Sequence, residues 1–306
     1  MSNKFDNVEE LLTSSLENLE KLYKVIKEVI ENYPYQKDID MSFGSEDSGT
    51  KTTIRELYDD FCKTLDEARK RLEKPNLSIA MIGITSSGKS TIVNSLIGRK
   101  IAPMESGEAS AGTLTLKHSN ESELVIEETK NAKWEIGRKT GLNDDQLYDQ
   151  IRNKIMLPFH EHRKKEEIEA PRVSVSVPLL PVCDLNLLEL PLGVDVEFID
   201  LPGLQSVTDT DNLKLIQDRV KKSFNIVVLN YQFVGDEHRE ELLNNLKENI
   251  EFQQGRTDSI IFILNKINLR TDEDLKLDDK LEQLKKNIKS KLYLEELPEI
   301  IPLIHY

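Results

Sequence analysis

The sequence predicts an α/β protein: a mostly parallel central sheet flanked by helices, preceded by an N-terminal helical hairpin. Three observations predict it. Apolar runs of strand length recur at 79–84, 226–229 and 260–264, and a further strand pattern lies at 194–199, with stretches between them long enough for helices. Residues 1–75 carry two apolar stripes at three- and four-residue steps. The run at 79–84 enters Gly83-Ile84-Thr85-Ser86-Ser87-Gly88-Lys89-Ser90-Thr91, the pattern G-x-x-x-x-G-K-S in a strand–loop–helix context.

The elements follow in order. Phe5, Val8, Leu12, Leu16, Leu19, Tyr23, Ile26, Ile30 and Tyr33 mark one long amphipathic helix stopped at Pro34. Residues 34–50, rich in Asp, Ser and Gly, read as a loop. Ile54, Leu57, Phe61, Leu65, Ala68 and Leu72 mark a second helix ended by Pro75. Two long helices joined by a loop predict an antiparallel hairpin over 1–75. The simplest role for it is to bury its stripes; the sharper one is a neck, or a dock for a partner helix.

The second domain, 76–306, opens with the 79–84 strand and a helix that ends before Gly98. Residues 99–112 have no period and read as a loop. Leu114 and Leu116, then 124–126, alternate with polar residues as strands do. The charged stretch 129–170 holds one helix near 142–156, opened by Asn143-Asp144-Asp145. Strict alternation at 173–177 predicts a half-buried strand, placed at a sheet edge by Pro171 and Pro178. Helices are expected at 237–251 and 273–291, and a short strand at 299–304.

Composition narrows the function. The formal charge of −14 argues against a nucleic-acid binder, which needs a basic face, and weakens binding to anionic lipid. Cys62 and Cys183 give neither a disulfide framework nor a metal spacing, which predicts a reduced, cytoplasmic setting. The N-terminus lacks the pattern of a signal peptide, and no apolar run is long enough to span a bilayer. His160-Glu161-His162 has its histidines two apart, not the four apart that place two ligands on one helical face, so it reads as a solvated surface.

Three motifs carry chemistry. In the first, which has the pattern of a P-loop, Gly83 and Gly88 let the backbone turn its N–H groups toward one point, and the helix behind adds the positive end of its dipole. Lys89 is expected on the β- and γ-phosphates of a nucleotide and Ser90 on Mg²⁺, with Thr85, Ser86, Ser87 and Thr91 completing the loop. The second motif is Asp200-Leu201-Pro202-Gly203 at a strand end. Asp200 is expected to hold Mg²⁺, directly or through water, while Gly203 leaves room for the γ-phosphate. The third follows the 260–264 strand: Asn265-Lys266-Ile267-Asn268.

Together GITSSGKST, NSLIG, DLPGL and ILNKIN resemble a GTPase domain of the dynamin superfamily, bacterial dynamin-like proteins in particular, over 76–306. The resemblance implies Mg²⁺-dependent hydrolysis of GTP to GDP. It implies that Ser86 neutralises charge at the leaving oxygen. A first-switch residue that binds Mg²⁺ and orients the attacking water falls at Ser110, with Thr113 the near alternative. It assigns Gly203 to the second switch and Asn265, Lys266 and position 268 to the base. Guanine-specific relatives carry Asp where this chain has Asn268; an amide accepts once but also donates, so xanthine would suit it better than guanine. Thr85 stands where eukaryotic dynamins place a water-positioning Gln, and Gln205 is displaced from the Ras-like position. Family members complete their sites by pairing GTPase domains, which implies a homodimer and slow turnover alone. Their N-terminal helices form a neck, and a further helix, a stalk and a membrane-binding tip follow the last strand expected here; these implied parts lie outside these 306 residues. A peripheral membrane location rests on the resemblance alone. The alternatives are a nucleotide-gated scaffold that hydrolyses negligibly, and an ATPase or altered-base NTPase.

Overall fold

The computed structural model describes residues 4–33, 53–104, 112–163, 165–184, 194–203, 217, 219–233, 242–244, 246–247, 259–271 and 276–304. The chain divides into two compact units, Met1–Asn76 with Leu190–Asp195, and Leu77–Glu189 with Val196–Tyr306.

The first unit is helical. Helix α1 spans Lys4–Glu31 and α2 spans Ile54–Glu73. A capping box starts α2: the Glu56 N–H donates to Thr53 Oγ1 at 3.0 Å and the Thr53 N–H donates to Glu56 Oε2 at 2.8 Å. The helices run antiparallel, since Arg69 late in α2 meets Glu20 at 3.7 Å, whereas Tyr58 early in α2 meets Tyr23, further along α1. The packing of the stripes leaves other apolar side chains of α1 uncovered. Leu11, Val25 and Val29 stay exposed, and a cavity of about 590 Å³ lined by Leu16, Tyr23, Cys62 and Leu65 remains between the helices.

The second unit is built on a sheet of nine strands: β1 Asn76–Gly83, β2 Thr113–His118, β3 Glu123–Ile126, β4 Gly137–Thr140, β5 Arg172–Val177, β6 Asp195–Asp200, β7 Phe224–Asn230, β8 Ile260–Asn265 and β9 Ile300–Pro302. Their order is β4-β3-β5-β2-β6-β1-β7-β8-β9. The β1-β7-β8-β9 half is parallel throughout. In the other half β2 pairs parallel with β5 but antiparallel with β6, and β3 is antiparallel to both neighbours. The parallel strands read as continuous apolar runs because both faces are covered. Helix α3, Lys89–Ile97, follows β1, and the last helix, α7, spans Leu277–Leu292 and buries Leu284, Ile288 and Leu292 at four-residue steps.

Three expectations change. The 173–177 strand is internal, between β3 and β2, not at an edge. Pro171 and Pro178 lie just outside β5, so all six of its residues keep the N–H groups two neighbours require. The helical stretch of the insert begins at Asp144 and runs to His162 as α4 Asp144–Asp149, a π-helical turn Gln150–Met156 and α5 Leu157–His162. A short helix α6, Leu180–Cys183, and strand β4 were not anticipated. The expected 34–50 loop and the greater part of the 237–251 helix lie outside the described residues; 242–244 and 246–247 within the latter are helical.

The sheet's central side chains include Met81, Leu116, Leu124, Phe198 and Ile199, all essentially inaccessible. Phe198 on β6 sits opposite Leu116 on β2. Truncating Phe198 to Ala should cost about 3–5 kcal/mol of folding free energy, read from the shift of the urea-unfolding midpoint.

Candidate functional site

The site lies at the carboxyl ends of β1, β7 and β8, where ligands of open α/β sheets bind. Gly83 ends β1 in a tight approach: a Cβ there would lie 2.6 Å from the Val228 carbonyl oxygen and 2.8 Å from Ser87 Oγ. The loop then turns, with the Ser87 N–H donating to Ile84 O at 3.3 Å, and passes through left-handed backbone at Ser86 (φ 59°) and Gly88 (φ 95°). Gly88 is the N-cap of α3, so the free N–H groups of that helix open onto the loop. Ser87 Oγ is buried and makes no hydrogen bond among the described residues.

Lys89 is 4% exposed and folds back over the loop, its ammonium donating to Ile84 O at 2.9 Å and Gly83 O at 3.2 Å. Burial pulls its pKa down to about 8, partly opposed by the charge of Asp200. Asp200, at the end of β6, is 3% exposed. Burial raises its pKa against the pull of Lys89 and of the Ser90 hydroxyl, which donates to Asp200 Oδ2 at 2.6 Å. Asp200 Oδ1 is buried and accepts no hydrogen bond among the described residues. A buried carboxylate oxygen with no partner, beside a hydroxyl and next to a phosphate-type loop, has the hard-oxygen chemistry that Mg²⁺ takes. Gly203 lies against Thr85: a Cβ there would meet Thr85 Oγ1 at 2.5 Å and Thr85 N at 2.8 Å. The two motifs are therefore in contact, with no space for a larger residue between them.

The third motif is tied to the first. Asn265 is fully buried at the end of β8; its Nδ2 donates to Ser87 O at 2.8 Å and its Oδ1 accepts from the Lys266 N–H at 2.8 Å. Lys266 adopts left-handed backbone (φ 62°) and sends Nζ to Ser86 O at 2.7 Å. Asn268 stands exposed on the 3₁₀ turn Ile267–Leu269 that follows.

Of the expected first-switch residues, Ser110 lies outside the described residues, as does Gln205. Thr113 begins β2, its N–H donating to Pro171 O at 3.0 Å, one residue beyond the Leu114–Asp200 register pair. Thr91, half-buried, lies in the first turn of α3. The sequence reading passed over Asn94. Buried in α3, it accepts from the N–H groups of Ile101 and Ala102 at 3.0 and 2.8 Å and donates to Ala102 O at 2.8 Å, fixing the chain that leaves the P-loop helix. An amide among the apolar residues Ile92, Val93 and Ile97 was the available signal.

A family model described as the Dynamin family matches residues 79–267, which takes in all three motifs except Asn268. The chain belongs to the dynamin family. This dynamin-family chain is 26% identical over 147 residues to a Dynamin-1-like protein of Mus musculus, covering 47% of this chain and 19% of that one. It is 25% identical over 181 residues to a Dynamin-1-like protein of Caenorhabditis elegans, covering 58% and 24%. It is also 36% identical over 93 residues to the isoniazid-induced protein IniC of Mycobacterium tuberculosis, covering 30% and 18%. The chain thus spans about a quarter or less of the length of these relatives. Among solved structures, an oligomerised bacterial dynamin pair described in terms of membrane sensing and tethering aligns with TM-score 0.47 and 17% identity, over 93% of this chain and 41% of that one. A dimerization-deficient mutant of Toc33 from Arabidopsis thaliana aligns with TM-score 0.44 and 11% identity, over 81% and 78%. No helix among the described residues is long and apolar enough to cross a membrane.

Proposed function

We propose that this chain is a GTPase domain that binds GTP with Mg²⁺, hydrolyses its γ-phosphate, and is activated by pairing with a second copy. One observation carries the reading: a buried lysine, a carboxylate with an unpartnered oxygen, and a base-side loop all converge on one phosphate-type loop. The loop N–H groups and the α3 N-terminus hold the phosphates, and Lys89 neutralises them as a point charge. Ser90 and Asp200 would hold Mg²⁺, with Ser110 completing the set. The ion, when bound, supplies charge neutralisation at the β- and γ-oxygens. By the resemblance Ser86 would neutralise charge at the leaving oxygen, and Thr113 is the second candidate for orienting water. Gly203, in contact with Thr85, leaves the γ-phosphate its space. Catalysis is then positioning and charge stabilisation with no covalent intermediate. Family membership supports GTP as the substrate; the dimer, a neck-like role for residues 1–75 and a cytoplasmic or peripheral membrane location rest on the resemblance.

Phosphate release from GTP with Mg²⁺, measured over a range of protein concentrations, tests this. Turnover per molecule should rise with concentration. Tight GTP binding with no release would replace the enzyme by a nucleotide-gated scaffold. Concentration-independent release would remove the dimer and leave the GTPase.

A further inference from the structure

The inference concerns which purines the site accepts, and it rests on the reading just given. The resemblance assigns Asn265, Lys266 and position 268 to the base, and the frame of the sheet is compatible with that assignment. Phosphates on the P-loop sit at the end of β1. Asp200, the cation side, is at the end of β6, the neighbour of β1 on one flank. The rest of the nucleotide can leave by the other flank, across β7 to β8. Two strand spacings, roughly 10 Å, separate β1 from β8, the scale of a nucleoside. The loop waiting there is the one that Asn265 and Lys266 bind to the P-loop carbonyls.

Within that loop the polar groups are largely committed. Asn265 uses its Nδ2 on Ser87 O and its Oδ1 on the Lys266 N–H, and is wholly buried. The Lys266 ammonium is on Ser86 O, which stretches its stem along the loop. Ile267 is apolar. Asn268, exposed on the 3₁₀ turn, is the side chain that offers a hydrogen-bonding edge to a base.

That edge is an amide, with one acceptor oxygen and one donor NH₂. Guanine presents two donors side by side, N1–H and the 2-amino group. A carboxylate accepts from both. An amide accepts from N1–H and turns its own donor against the 2-amino group, so one bond is made and one donor opposes another. Hypoxanthine presents N1–H beside a carbon-bound hydrogen: one bond, no opposition. Xanthine presents N1–H beside a carbonyl oxygen and pairs with both halves of the amide. We infer that Asn268 leaves guanine's 2-amino group without an acceptor in the base site, so that the chain takes 6-oxopurine nucleoside triphosphates as a class, ITP and XTP as well as GTP.

The test is kcat/KM of the full chain with Mg²⁺ for GTP, ITP and XTP, for wild type and Asn268→Asp, with equilibrium binding of each nucleotide measured alongside. Wild type should use both ITP and XTP at least as well as GTP. Asn268→Asp should raise GTP relative to XTP by about tenfold or more, the scale of one charge-assisted hydrogen bond. A wild-type preference for GTP over both others of about tenfold or more, or an Asn268→Asp ratio that does not move, overturns the inference and leaves the GTPase reading intact. Failure to bind or hydrolyse any of the three overturns both.

Discussion

Lys89→Ala should lower GTP turnover by about 10²–10³-fold, the scale on which one charge-stabilising group is lost from a preorganised site. The ammonium already sits inside the loop, held by the carbonyls of Gly83 and Ile84, so its truncation removes both the charge and the strut that spans the turn. Binding should weaken as well, read as the dissociation constant of a non-hydrolysable GTP analogue. The same residue sets a pH dependence. Burial brings its pKa to about 8 in the ligand-free site. Bound phosphates favour the charged form and raise it again, so binding takes up a proton once the free site has lost one. Affinity should be flat below pH 8 and fall above it, by up to about tenfold per unit. Affinity that stays constant to pH 9.5 would show that Lys89 does not meet the phosphates. Unchanged turnover in Lys89→Ala would end the GTPase proposal.

Asp200→Asn should shift the Mg²⁺ dependence of turnover by tenfold or more toward higher Mg²⁺ while leaving the fold intact. The amide is the same size and keeps an oxygen for the Ser90 hydroxyl, now 2.6 Å from Asp200 Oδ2, but it gives up the charge that a hard cation seeks. The wild-type carboxylate is buried and its pKa is raised by that burial, so its charged form is held at a cost in the ligand-free protein. Removing it should leave the melting temperature of the ligand-free chain equal or higher. Lost Mg²⁺ response with a preserved or raised melting point separates cation binding from a structural role; a lowered melting point with normal Mg²⁺ response would remove Asp200 from the metal site.

What the sequence revealed of this molecule follows physical lines. Strands such as β7 and β8 were legible because burial on both faces leaves unbroken apolar runs. Strand β4 was not, since Gly137, Arg138 and Thr140 are exposed and only its backbone ladder with β3 makes it a strand. The prolines around β5 signalled an edge because local chemistry reports where a ladder must stop, not how many neighbours it has. The dynamin resemblance came from glycines, a lysine and an Asp-Leu-Pro-Gly turn at strand ends, where few residue types fit. The site's internal wiring came only from structure. That Lys266 reaches Ser86 O, that Gly203 abuts Thr85, and that Asn94 pins Ile101 and Ala102 are matters of three-dimensional register, for which single residue types leave no pattern.

The tie between Asn265 and Ser87 spans 178 positions, and that between Lys266 and Ser86 spans 180. The P-loop is thus spelled near the start of the sheet but finished by residues near its end. During synthesis at about 5–20 residues per second, roughly 10–40 s pass between the emergence of the loop and that of its anchors. Over that interval the nascent chain carries the phosphate-binding motif with the carbonyls of Ser86 and Ser87 still lacking these partners. Nucleotide affinity should therefore arrive late and abruptly along the growing chain, and ribosome-bound intermediates ending before β8 should capture little nucleotide.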